Sequence, residues 1–158
     1  MLMHRTLLRA FISAKPLMNP QHIITGLLDT KVITYPSQQV VATYSAVIKP
    51  TTYLGSISIL NPETNQWVDG QIKVNSQLSG SGFDIYWDNN VLTMQTKPEL
   101  RTSNFFDTNG KLLAKFKIRA DSIDSERIYY LHIYSNKYPE PLYLLELAAR
   151  DHHTSTSQ

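Results

Sequence analysis

The stretch SERIYYLHIYSNKYPEPLYLLELAAR, residues 125–150, decides how this chain is read. Apolar and aromatic residues run along both sides of a polar, proline-containing loop. In IYYLHIY, a strand places Tyr129, Leu131 and Ile133 on one face and Ile128, Tyr130, His132 and Tyr134 on the other. In PLYLLEL, the face made by Tyr143, Leu145 and Leu147 is apolar throughout. At a period of two, the whole stretch reads as a β-hairpin with two central strands and SNKYPEP as its loop.

The same period extends upstream. VITYP stops at Pro36, and QVVATYSAVIK sets Val40, Ala42, Tyr44, Ala46 and Ile48 against Val41, Thr43, Ser45 and Val47. YLGSISIL opposes Ile57 and Ile59 to Ser56 and Ser58, WVDGQIKV gathers Val68, Ile72 and Val74, and FDIYW gathers Phe83, Ile85 and Trp87. Asn89-Asn90 reads as a hairpin turn into VLTMQT. KPELRTSNFFDTNG (residues 97–110) reads as the longest irregular connection. KLLAKFKIR then turns Leu112, Ala114, Phe116 and Ile118 inward. Turn signals at this spacing, with no helix between strands, exclude a βαβ parallel sheet. They predict an all-β, antiparallel β-sandwich of about nine strands, jelly-roll or immunoglobulin-like, spanning residues 29–150. Ile57, Val74, Ile85, Phe116, Ile118, Leu131, Ile133 and Leu145 are its expected core, and DHHTSTSQ (residues 151–158) a polar tail.

The 158 residues suffice for one domain, and 42% hydrophobic against 18% charged residues excludes a disordered chain. Without cysteine there is no disulfide, no thiol catalysis and no thiolate metal site. Three of the 15 basic residues (Arg5, Arg9 and Lys15) precede Asp29, the first acid. The other 12 face 13 acids, so residues 29–158 carry a net charge of −1. A basic end on a near-neutral body argues against binding along a phosphate backbone. No apolar run approaches the roughly 20 residues that a spanning helix needs.

Residues 1–28 stand apart. On a helical wheel Met3, Leu7, Leu8, Phe11 and Ile12 gather on one side, Arg5, Arg9 and Ser13 on the other, and Pro16 ends the pattern. This predicts a short N-terminal amphipathic helix, read either as an arm that docks on a neighbouring subunit or as a mitochondrial targeting segment.

Chemical signatures are sparse. His132 sits between Tyr130 and Tyr134 without the partners a general base needs. His152 and His153 are adjacent, but a firm metal site needs further ligands held by the fold. DTNG (residues 107–110) starts like a calcium loop and lacks its closing acid. No nucleophile elbow, P-loop or dinucleotide fingerprint occurs, so no catalytic residue, metal or cofactor is assigned. The basic stripe of Lys111, Lys115, Lys117 and Arg119 reads as edge protection of an exposed strand. Trp67, Tyr86 and Tyr138 are the candidates for stacking against a ligand such as a sugar ring.

These readings lead to a non-enzymatic structural subunit of a large assembly, of the virion or phage-tail kind. Its partners are copies of itself or other protein subunits, bound through the N-terminal arm. The alternatives are a carbohydrate- or surface-binding module and an accessory subunit of a mitochondrial complex.

Overall fold

A computed structural model describes residues 7–16, 26–35, 39–49, 52–75, 82–97, 102–118 and 129–156. Ten strands form one antiparallel sheet in which each pairs with its neighbours in the chain. They are β1 (Leu7–Pro16), β2 (Gly26–Tyr35), β3 (Val40–Lys49), β4 (Thr52–Asn61) and β5 (Gln66–Val74). There follow β6 (Gly82–Trp87), β7 (Asn90–Lys97), β8 (Thr102–Asp107), β9 (Leu112–Ile118) and β10 (Tyr129–Ile133). One helix, α1 (Glu140–Thr156), closes the order. The chain is therefore mostly antiparallel β, as its period of two requires, but among the described residues it has one sheet and not the two stacked sheets of a sandwich. A helix covers the inner face in place of a second sheet.

Tight turns set the registers. Asp88 and Asn89 adopt positive φ, 48° and 58°, the paired left-handed conformation that suits a two-residue hairpin between Trp87 and Asn90. The turn thus lies one residue earlier than the sequence suggests. Asn61 Oδ1 accepts from the amides of Glu63 and Thr64, closing the four-residue turn between β4 and β5. In DTNG, Asp107 Oδ1 accepts from the amides of Asn109 and Lys111 at 2.9 Å, and Gly110 takes φ 77°. Asp107 shapes a turn there.

The C-terminal half of the deciding stretch is helix, a correction to the hairpin reading. Residues 140–150 are dominated by Leu, Ala, Glu and Arg, all strong helix formers. Glu140 and Pro141 lie in the first turn, where an acid suits the helix dipole and a missing N–H costs nothing. Leu142, Tyr143, Leu145, Leu147 and Ala149 are all buried. A helix buried on nearly every side shows apolar residues at both parities, and a period of two can be read into it. The polar stretch expected as a tail from residue 151 continues α1 through Thr156.

The sheet curls around this helix. Four strand spacings of about 4.8 Å separate β4 from β8, roughly 19 Å on a flat sheet. That exceeds the diameter of a helix with its side chains, about 10–12 Å. Yet Tyr53 of β4 donates to the carbonyl of Ala149, while Phe105 of β8 stacks edge-on against Tyr143 with ring centroids 5.0 Å apart. α1 also packs close to β1, β2 and β3. Bulges help the bend. Register skips Leu113 where β8 meets β9, and Val41 where β2 meets β3. The first bulge buries Leu113 beside Ala114, although simple alternation assigns it outward.

Ile57, Ile72, Phe83, Ile85, Leu92, Met94, Phe105 and Phe116 line the inner face with Leu142, Tyr143 and Leu145 of α1. Of the expected core, Ile57, Ile85, Phe116 and Leu145 are there and Leu131 packs half-buried against it, whereas Val74 and Ile133 are exposed; the side chain of Ile118 lies outside those described. Val74 and Ile133 are the last residues of β5 and β10, at the ends of their strands.

The N-terminal expectation changes as well. Leu7, Leu8, Phe11 and Ile12 lie in β1, paired with β2 from Leu7↔Tyr35 to Pro16↔Gly26, and so do not form an amphipathic helix; Met3 lies outside the described residues. Strand pairing supplies the backbone partners that a solitary short helix must find within itself. The lysines of β9 do not guard an edge either, because β9 is paired on both sides, with β8 and β10.

Candidate binding channel

On the outer face of β2–β5 short polar side chains fall into register. One cross-strand row reads Lys31↔Thr43↔Ser58↔Asp69. A second reads Ser45↔Ser56↔Gln71↔Tyr86 and reaches Val91 of β7. Between them runs the row Tyr44↔Ile57↔Gly70↔Trp87, whose residues point inward or, at Gly70, carry no side chain. The rows are therefore two walls of a channel that crosses the strands, with sheet backbone as its floor.

The channel opens because its walls are low. Lys31, Thr43, Ser45, Ser56, Ser58, Asp69 and Gln71 border a groove of about 560 Å³ on β2–β5. A second groove of about 510 Å³ shares Asp69, Gly70 and Gln71 and continues past Tyr86 to the Asp88-Asn89 turn. From β2 to β7 there are five strand spacings, roughly 24 Å. Gly70 is required at the crossing point. A Cβ there would meet the Tyr86 carbonyl oxygen and stand 3.1 Å from both Ile57 Cγ1 and Trp87 Cδ1. The indole behind this floor is fixed by its N–H, which donates to the Val68 carbonyl at 3.1 Å.

The chemistry of the walls is mixed in a definite order. Hydroxyls of Thr43, Ser45, Ser56 and Ser58 can each donate and accept, and Gln71 offers both functions on one amide. Ser58 already donates to Asp69 Oδ1 at 2.7 Å, and Asp69 borders both grooves. An ammonium at Lys31 and a carboxylate at Asp69 stand at opposite ends of the first row.

Of the three aromatic residues predicted to stack, two lie on this face. Trp67 is 48% exposed, two residues from Asp69 on the same side of β5. Tyr86 is 40% exposed in the wall, with Lys73 Nζ 4.9 Å from its ring centroid, so one ring face already carries a cation. Tyr138 is 4% exposed, buried in the turn before α1, and offers no surface for stacking. The polar rows escaped the sequence reading. Their trace is there in the i, i+2 pairs Thr43/Ser45, Ser56/Ser58 and Asp69/Gln71 of three successive strands, but only the register shows that the pairs align. Among the described residues no three His, Cys, Asp or Glu side chains converge into a group able to hold a metal, and His132 lies exposed on β10, away from the channel.

No protein-family model, curated protein or solved structure matches this chain.

Proposed function

We propose that this is a non-enzymatic recognition domain that lays an extended polyhydroxylated chain, a carbohydrate, across the outer face of β2–β7. The observation that carries this reading is the registered channel: two rows of hydroxyl, amide and carboxylate groups on either side of a bare backbone floor. A neutral sugar chain presents alternating hydroxyl donors and acceptors, which such walls can match. It also presents apolar ring faces, which the indole of Trp67 and the ring of Tyr86 can cover. The site is shallow, as suits a flexible polymer held by many small contacts.

The test is calorimetric titration of neutral and acidic oligosaccharides of four to eight units into the full chain, followed by sizing of the sugar. Saturable binding with the sugar recovered intact is the expected result. Trp67→Ala and Gln71→Ala should each weaken it several-fold. Ser56→Val with Ser58→Val, which replaces wall hydroxyls with methyls, should weaken it tenfold or more. No binding across the set sinks the reading, and shortened sugar chains would sink its non-enzymatic half.

A subunit role in a larger assembly rests on a different surface. β10 lies at the end of the described sheet and exposes Tyr130 and Ile133, with Tyr134 exposed just beyond it. Its sequence YYLHI has no lysine, glutamate or proline to discourage pairing with another chain. Under this reading docking runs through the sheet edge and not through an amphipathic helix. A native mass that remains monomeric at high concentration would count against it.

A further inference from the structure

Inside the curl lies a group that the channel does not use. Glu146 on α1 is 0% exposed, and neither of its carboxylate oxygens has a hydrogen-bond partner among the described residues. Burial pushes its pKa well above the usual carboxylate range, and the negative charge of Asp84 on β6 adds to the effect. Burial therefore favours the protonated, neutral form of Glu146 in this fold. Among the described residues, the buried side chains of the sheet around Glu146 offer no countercharge. Tyr53 of β4 donates its hydroxyl to Ala149, and burial raises its own pKa further, helped by Glu146. Tyr44 of β3, Tyr138 and Tyr143 have buried hydroxyls without partners, and Tyr143 is pushed up to about 12 by burial and by Tyr138. Asp84 is occupied by Asn75 and Thr93.

The cation that could neutralise Glu146 is on the same helix. Arg150 stands four residues on, the spacing at which glutamate and arginine pair along a helix. It is buried, and its Nη1 donates 2.7 Å to Ser103 Oγ of β8. Ser103 has a second partner in Thr96 of β7, at 3.2 Å, and so keeps a hydrogen bond if Arg150 leaves.

We propose that Arg150 is a two-position cation whose place is set by whether Glu146 carries its proton. With Glu146 neutral, Arg150 holds Ser103 and fastens α1 to β8, the arrangement seen here. When Glu146 gives its proton to solvent, the bare carboxylate in a poorly screened interior draws the guanidinium back by one helical turn. The helix then loses its attachment to β8 and gains an internal ion pair. The direction follows from the raised pKa: the Ser103-bound arrangement prevails at low pH, and the Glu146–Arg150 pair forms as pH rises through the Glu146 midpoint. The device is independent of any ligand in the outer channel.

The experiment is a carboxyl-carbon NMR titration of the full chain, with Glu146→Gln identifying the resonance. Ser103→Ala removes the competing acceptor and should move the Glu146 midpoint down by about one pH unit, the scale of a nearby charge on a carboxyl. Arg150→Gln should move it up by a similar amount. Unchanged midpoints in Ser103→Ala, or a lower one in Arg150→Gln, would overturn the proposal. If Arg150→Gln does not fold, the Arg150 side-chain nitrogen resonance decides. It should shift with pH in the wild type and stay fixed in Glu146→Gln, and a shift that persists in Glu146→Gln overturns the switch.

Discussion

Asp84 and Glu146 are both carboxylates packed against β-structure, and they are treated in opposite ways. Asp84, on the outer face of β6, accepts from the Asn75 amide at 3.1 and 3.0 Å and from the Thr93 hydroxyl at 2.8 Å. Glu146, on the inner side, accepts from nothing among the described residues. A carboxyl group that accepts three hydrogen bonds has its burial offset, whereas burial without any favours the neutral acid. Outside, Asp84 is satisfied by its neighbours Asn75 and Thr93. Inside, Glu146 is left short of partners among the described residues, which makes its surroundings sensitive to a single proton. The two faces of one sheet thus treat a carboxylate in opposite ways.

The strongest way to break the contrast is to remove the packing that makes the interior dry. Phe105 stacks edge-on against both Phe116 and Tyr143, with centroids 5.8 and 5.0 Å away. Phe105→Ala should cost about 3–5 kcal/mol in urea unfolding. A cost under about 1 kcal/mol would mean that β8 does not touch the helix as described. Next comes the proton itself. A carboxyl held neutral by burial stabilises the fold fully below its unfolded-state pKa of about 4.3, and that contribution is lost as pH rises through the folded-state value. The wild type should therefore lose about 1–3 kcal/mol between mildly acidic and mildly alkaline pH, the cost of a poorly satisfied buried group. Glu146→Gln should make the curve nearly flat, and parallel curves for the two proteins would remove Glu146 from the account. The smallest effect belongs to the satisfied partner outside. Thr93→Val leaves Asp84 its two bonds from Asn75 and should cost about 1 kcal/mol, with no change in the pH dependence set by Glu146.

Much of the sheet was legible in advance because alternation is a local signal. Ile57/Ile59 against Ser56/Ser58, and Phe83/Ile85/Trp87 against Asp84/Tyr86, need only their own strand to be understood. What escaped depends on other parts of the chain. TSNFFD reads as a loop because it is short and polar at its start, yet the partners on both sides make it β8. PLYLLEL was taken for a strand because enclosure by the sheet puts apolar residues at both parities, and only its helix-forming composition argued otherwise. The choice between two stacked sheets and one curled sheet rests on the same residue pattern, since both designs need one apolar face per strand. Of the candidate site, the aromatic residues Trp67 and Tyr86 were visible from their type. The hydroxyl rows were not, because alignment across four strands is a property of register.

The strict sequential order of the strands bears on how the chain is made. Among the described residues every sheet pairing joins neighbours along the chain, so hairpins can form one after another as the polypeptide emerges, with little search and short loop closures. The cover for the inner face comes last, since α1 follows all ten strands. Until it is synthesised, a long trough of Ile, Phe, Leu and Met side chains faces water. Nascent chains stalled before Glu140 should therefore be the species that chaperones recognise and that aggregates first. Supplying residues 140–156 as a separate peptide should rescue the solubility of a fragment ending at Pro139.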